Sequence, residues 1–287
     1  MKLRFIRRRR ANRSVGGDIC NIIILALFGA FMALPMVFAI GNAFRPLDEF
    51  FIFPPRFFVI NPTLDNFNDL FILMAQSWVP FSRYIFNTVF ITLVGTVGHV
   101  IIASMAAFVL EKHKFPGREL LFGMVILTLM FSAAVTAIPN FLTMSTLGWI
   151  DTHLALIIPA FAAPIGLFLM KQFMVTIPDS LLESARIDGA SEFKIFWNIA
   201  MPAVKPGWLT LVIFSFQGLW GATGGTFIFS EELKTLPFAL NQILLGGIAR
   251  AGVGAAVMLM MMLVPITMFI ATQSNILQTM ATSGIKE

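Results

Sequence analysis

Two short stretches of the chain carry the spacing Ser-x-x-Lys, Ser191 to Lys194 and Ser283 to Lys286, in which a lysine can stand beside a serine nucleophile. So short a pattern arises often by chance, and the companion motifs of that chemistry are missing. Metal chemistry has as little to work with. The single cysteine, Cys20, allows neither an intrachain disulfide nor a cysteine cluster. His99, His113 and His153 fall in different segments without ligand spacing, and read as structural. No phosphate loop of the form GxxxxGK[ST] occurs, so the chain does not itself hydrolyse a nucleotide in that way.

The densest polar stretch inside the chain is residues 178–206, PDSLLESARIDGASEFKIFWNIAMPAVKP. Ser180 and Glu183 have capping-box spacing, which predicts a helix start there. Leu182, Ala185, Gly189, Phe193 and Phe196 recur every three or four residues as one apolar stripe. Glu183, Arg186, Asp188, Glu192 and Lys194 lie largely off it, and Pro202 is expected to stop the pattern. Residue chemistry alone leaves two readings open. One is a surface helix that joins its neighbours, with Gly189 a local weakness of up to about 1 kcal/mol against alanine. The other is a docking helix, in which Gly189 lets a partner's backbone approach closely.

The elements around this stretch must sit in lipid. Of 287 residues, 57% are hydrophobic and only 12% charged, too few charges to cover a soluble surface. The mean hydropathy is +0.84. Apolar spans are expected at about 19–43, 84–110, 120–144, 153–173, 208–229 and 251–274, six in all. Pro159 and Pro164 fall inside the fourth, where neighbouring helices must satisfy the freed backbone groups. Gly221 and Gly225 give the fifth a GxxxG spacing that suits close helix crossing. Thr63 to Phe67 predict a short helix within the first outer loop.

The net charge of +5 does not point to nucleic acid, because seven of the 20 basic residues lie in the first 13, directly before an apolar stretch. That run, with Arg7 to Arg10 at its centre, suits anionic lipid headgroups. The stretch that follows is longer than a signal-peptide core and lacks a small-x-small cleavage site, so it reads as a retained helix. With both termini cytoplasmic, the inner segments hold 15 basic residues and the outer ones five. The spans carry almost no ionisable groups, which argues against proton or ion coupling. No paired catalytic groups sit inside them, which argues against an intramembrane enzyme.

The 178–206 segment resembles the EAA loop of binding-protein-dependent ABC importer permeases. Glu183, Ala185, Gly189, Ile199 and Pro202 match it in register, and Asp188, Ala190 and Phe196 fit its sugar-permease form. Ser184 and Met201 stand where the loop has Ala and Leu. Phe115-Pro116-Gly117-Arg118, Phe53-Pro54-Pro55, Pro62 to Phe67, Tyr84 to Thr88 and Ser283 to Lys286 resemble further motifs of the carbohydrate branch, in its smaller maltose-G-like subunit.

The resemblance implies an all-α, polytopic membrane protein with the type I ABC importer permease fold. Residues 1–18 would be a basic tail and 19–83 the first transmembrane helix with its outer loop. Residues 84–273 would be the transmembrane module with its coupling loop, and 274–287 a cytoplasmic tail. It implies ATPase coupling through Glu183, Ser184, Ala185, Asp188, Gly189 and Pro202. The implied partners are a second permease subunit, two ATPase subunits that hold ATP and Mg, and an extracellular or periplasmic solute-binding protein, in a bacterial plasma membrane. No cofactor is expected on this chain. A sugar path needs hydrogen-bonding groups and aromatic faces in a membrane cavity; Asn87, Asn140, Gln217 and Trp220 are the candidates by type and depth. The EAA loop is shared with importers of amino acids, peptides and ions, so cargo class stays open on that motif alone. An ATP-independent secondary carrier is the competing reading from a different class.

Overall fold

The computed structural model describes residues 15–76, 78–245, 247 and 250–283, so the basic run at residues 7–10 and the end of the closing motif lie outside the described residues. Among the described residues every regular element is a helix. Helix α1 (Val15–Ala43) is apolar and exposed along its length, and its end packs through Ala43 on Ala255 and Leu259 of the last helix. The loop after α1 holds α2 (Leu47–Phe50) and α3 (Asp65–Ala75), the second within a residue or two of its predicted start. Buried Arg45 donates to the carbonyl of Arg56 at 2.6 Å, and buried Glu49 accepts from the amide of Asn61 at 3.1 Å, so this polar loop is pinned into one shape.

Helix α4 (Phe81–Lys112) is the axis of the bundle. It packs on α7 (Leu154–Phe161), α8 (Pro164–Met174) and α12 (Lys205–Trp220). Close approach comes from glycines on α4. A methyl group at Gly98 would stand 2.1 Å from the Phe161 ring, and one at Gly95 would stand 2.5 Å from Leu219. The GxxxG expectation for Gly221 and Gly225 is therefore corrected. Helix α12 ends at Trp220, Gly221 caps it, and Gly225 lies in the following loop. The helix of the fifth span ends about nine residues earlier than its apolar run predicts, because hydrogen bonds hold the segment after Trp220 as a loop. Thr235 donates to the Ala222 carbonyl at 2.8 Å, and the Leu236 amide donates to Thr88 at 2.7 Å.

Two further spans are bent. The third consists of α5 (Arg118–Met130) and α6 (Ala133–Thr146), which break at Phe131–Ser132 and not at Pro139. The fourth breaks at Ala162–Ala163, before Pro164. There the His99 ring supplies the satisfaction that broken backbone needs in lipid. Its Nε2 lies 3.1 Å from the Ala163 carbonyl and its Nδ1 lies 2.6 Å from the Ser215 hydroxyl, with the ring buried. The histidine thus ties α4, α8 and α12 together. A methyl group at Gly166 would stand 2.1 Å from His99 Nε2. Gly166→Ala should lower stability by about 1–3 kcal/mol, the cost of overpacking. Combining it with His99→Ala should cost less than the two single changes together. Thermal unfolding in detergent reads both; strictly additive losses would rule out the contact.

The remaining elements are α9 (Asp179–Ile187), α10 (Glu192–Ile195), a wider π-helical turn (Phe196–Ala200), α11 (Met201–Ala203), α13 (Leu236–Leu244) and α14 (Ala251–Ser283), with one 3₁₀ turn at Glu231–Leu233. Four segments, Gly16–Ala43, Phe81–Lys112, Leu154–Met174 and Ala251–Gln273, are long and apolar enough to cross a membrane. Two helix pairs pass the same test only when joined across a sharp bend, α5 with α6 and the 192–203 run with α12, so the count is four, or up to six if each pair is one span.

Candidate functional site

Within the 178–206 segment, residues 179–195 form two short helices, α9 and α10, joined by a tight turn and followed by the π-helical turn and α11. Several local expectations are corrected. Pro178, and not Ser180, precedes the first helical residue, and no side chain caps it. The Ser180 carbonyl instead accepts from the Ser184 hydroxyl at 2.9 Å. The single stripe is split. Leu182, Ala185 and Phe196 are buried in the main core with Ala107, Met170 and Met174, whereas Gly189 and Phe193 are exposed. Pro202 does not end the helix. It sits in the first turn of α11, where a missing amide is tolerated. The wide turn before it carries a bond from the Met201 amide to the Phe196 carbonyl, five residues back.

Gly189 breaks the helix for a backbone reason. Its φ is +80°, in the left-handed region, and a methyl group there would meet nothing within 4 Å. The amide of Gly189 donates to the Arg186 carbonyl and that of Ala190 to the Ala185 carbonyl, both at 3.0 Å. This pairing closes a helix C-terminus when the residue past the cap is left-handed, and it satisfies two otherwise orphaned carbonyls. Two residues later, Ser191 accepts from the Lys194 amide at 3.4 Å and starts α10. The Ser191-x-x-Lys194 spacing is therefore a helix cap.

Charges close the turn and tie it to α4. Arg186 Nε donates to Glu192 Oε1 at 2.7 Å, and His113 Nε2 lies 3.2 Å from Glu192 Oε2. Lys112 Nζ, nearly buried, donates to the Ile177 carbonyl at 2.7 Å and to Asp179 at 2.8 Å. Sequence reasoning missed these ties. Their only signal was opposite charge at Arg186 and Glu192 on either side of a glycine. On either side of the turn stand two exposed apolar side chains, Ile187 (86% exposed) and Phe193 (67% exposed), the latter edge-on to the Trp197 ring.

Hydrogen bonding from Arg186 holds the Glu192 carboxyl below its ordinary range, and that from Lys112 does the same for Asp179. Both groups bind protons less readily folded than unfolded. Their stabilisation is complete above the ordinary carboxylate range and is lost as pH falls through the lowered values. Amide protection at Gly189, Ala190 and Lys194 should stay level from neutral pH to about pH 5 and fall below about pH 4. Hydrogen exchange corrected for intrinsic rates checks this; protection that dropped between pH 7 and pH 5 would contradict it.

The four pathway candidates are not gathered on one open wall. Asn87 is fully buried and donates to the carbonyls of Glu232 and Lys234 at 2.8 and 2.9 Å. Trp220 is buried, donates to the Met261 carbonyl at 3.3 Å and stacks on Phe216. Gln217 and Asn140 are exposed. No cluster of three or more His, Cys, Asp or Glu able to hold a metal occurs among the described residues.

The pattern of the family described as "Binding-protein-dependent transport system inner membrane component" matches residues 99–281, which hold α7 to α12 and the whole 179–195 turn. The chain belongs to that family. This transport component is 38% identical to Protein LplC of Bacillus subtilis (strain 168) over 208 residues, which are 71% of this chain and 66% of that protein. It is 31% identical over 233 residues to the arabinooligosaccharides transport system permease protein AraQ of Halalkalibacterium halodurans, covering 77% of this chain and 81% of that one. Its fold is that of a chain in a bacterial ABC transporter involved in the import of the acidic polysaccharide alginate, with a TM-score of 0.75 at 22% identity over 91% of this chain and 98% of that chain. The all-α importer-permease fold expected from the sequence is thus the fold observed, and the component is a multi-pass membrane protein of a transport family.

Proposed function

We propose that the chain is the permease subunit of an ATP-driven, binding-protein-dependent importer whose cargo is a sugar or oligosaccharide. The observation that carries the reading is the 179–195 turn. Two helices are locked by a left-handed glycine and crossed by ion pairs, anchored through Leu182 and Ala185 in the core, with Ile187 and Phe193 presented outward. Such a rigid knob transmits a push from a partner into α4 and α8 without first bending itself. Glu183, Ser184, Ala185, Asp188, Gly189 and Pro202 form or support it, and an ATPase subunit that holds ATP and Mg is the partner it serves. The names of AraQ and of the alginate importer support a saccharide cargo.

In the proposed cycle two ATPase subunits close on ATP and draw together this turn and its counterpart on a second permease chain. The spans then open toward an external solute-binding protein, and hydrolysis resets them. The chain lies in the bacterial inner membrane with both termini cytoplasmic, as the 15-to-five bias of basic residues supports. Uptake of labelled oligosaccharides into proteoliposomes tests the whole. Uptake should require ATP, the binding protein and all four membrane-associated subunits. Uptake by this chain alone, without ATP, would transfer it to the secondary carriers.

A further inference from the structure

A strongly apolar groove lies between α4, the 196–203 turn, α12 and α14, with a volume of about 690 Å³. Its walls are Val97, Ile101, Val212 and Phe216, and it runs along α12 from Lys205 to Phe216, about 16 Å at the helical rise. At one end the walls change character. Trp208, its indole fixed by a 3.1 Å hydrogen bond to the Met201 carbonyl, and Lys205 stand at the mouth. Lys205 is half-buried and makes no ion pair or hydrogen bond among the described residues.

An apolar slot of that length with an indole and an unmatched ammonium at its mouth has the chemistry of an acyl chain below a phosphate. Lys205 begins the fifth span, so it lies at the boundary of the apolar layer, the depth at which tryptophan rings and lipid phosphates meet. Charge selects among lipids here. A zwitterionic headgroup carries its own cation, whereas an anionic headgroup leaves a negative charge that the lysine can neutralise.

We propose that this groove binds one anionic phospholipid, with its acyl chain between α4 and α12 and its phosphate on Lys205. The bound lipid would fill the gap between α14 and the 196–203 turn, and so brace the segment that links the docking turn to α12. The inference goes beyond the assignment as a permease and does not depend on the cargo.

Native mass spectrometry of the full chain tests it, after purification with its co-expressed partner subunits and exchange into phosphatidylglycerol, phosphatidylcholine or an equal mixture of the two. Wild type should retain one phosphatidylglycerol in about fivefold preference to phosphatidylcholine, the equivalent of about 1 kcal/mol for a single lysine at a lipid surface. Lys205→Gln should abolish the preference, Lys205→Arg should keep it, and Val97→Trp should lower retention of both lipids by filling the slot. Circular dichroism confirms that each variant folds. Equal retention of the two lipids by wild type, or an undiminished preference in Lys205→Gln, would overturn the proposal. So would disulfide cross-linking of Val97→Cys to a partner subunit in high yield, because the groove would then hold protein.

Discussion

Gly189→Arg is expected to abolish capture of the ATPase subunits by the purified permease, while wild type retains them. Two costs act together in this variant. A left-handed backbone costs a residue with a Cβ about 1–2 kcal/mol, and the position has φ +80°. The side chain also projects into open space at the tip of the turn, where nothing of this chain lies within 4 Å of the added Cβ. The bulk and charge therefore fall on the partner and not on the core. Gly189→Asn and Gly189→Ala separate the two costs. Asparagine visits the left-handed region readily, so Gly189→Asn should keep the turn and most of the capture. Gly189→Ala pays the backbone strain without the charge, and should weaken capture by about tenfold for each 1.4 kcal/mol of strain that binding must overcome. Capture by Gly189→Arg at the wild-type level would remove the turn from the docking surface.

The comparison of sequence with structure explains what each kind of signal can carry. Burial in lipid needs long apolar runs, so α1, α4 and α14 were legible to within a few residues at most ends. The end of α12 was not. Its apolar run continues past Trp220, and the stop comes from Thr88 and Asn87, more than 130 residues away, binding the backbone of the 221–236 loop. The break at Ala163 was half legible, because Pro164 marks the place but not the His99 ring that completes it. At the 179–195 turn the residue types stand out in the sequence, but the geometry does not. Gly189 stands out from the sequence as a small residue, yet within this chain its role is a dihedral angle. Periodicity could not show that, since a stripe of spacing three and four continues across the break unchanged. The crossing ion pairs depend on that same fold-back, and opposite charges six residues apart are not neighbours on one helix.

Asn87 puts the same contrast to a quantitative test. By type and depth it is a candidate for contact with cargo, yet its side chain is 0% exposed and its amide spans the carbonyls of Glu232 and Lys234. Leucine at this position has nearly the same size but offers no donor. Asn87→Leu leaves the Lys234 carbonyl without this donor, at about 1–3 kcal/mol for an unsatisfied group, whereas the Glu232 carbonyl keeps the Arg83 Nε donor at 3.2 Å. The substitution also removes Asn87 Oδ1, which is buried without a partner among the described residues, and that offsets part of the loss. The net expectation is a destabilisation of about 1–2 kcal/mol, read as a lower midpoint in thermal unfolding. The 221–236 loop should become accessible to protease at the same time, because Asn87 and Thr88 hold it together. Gln217→Leu, at an exposed position on α12, should leave the midpoint within about 0.5 kcal/mol of wild type. If Asn87→Leu instead melted like wild type and only raised the solute concentration for half-maximal uptake, the amide would belong to the transport path. The two side chains carry the same amide group but differ in burial and hydrogen bonding, so the pair decides whether the polar groups of this bundle serve its architecture or its cargo.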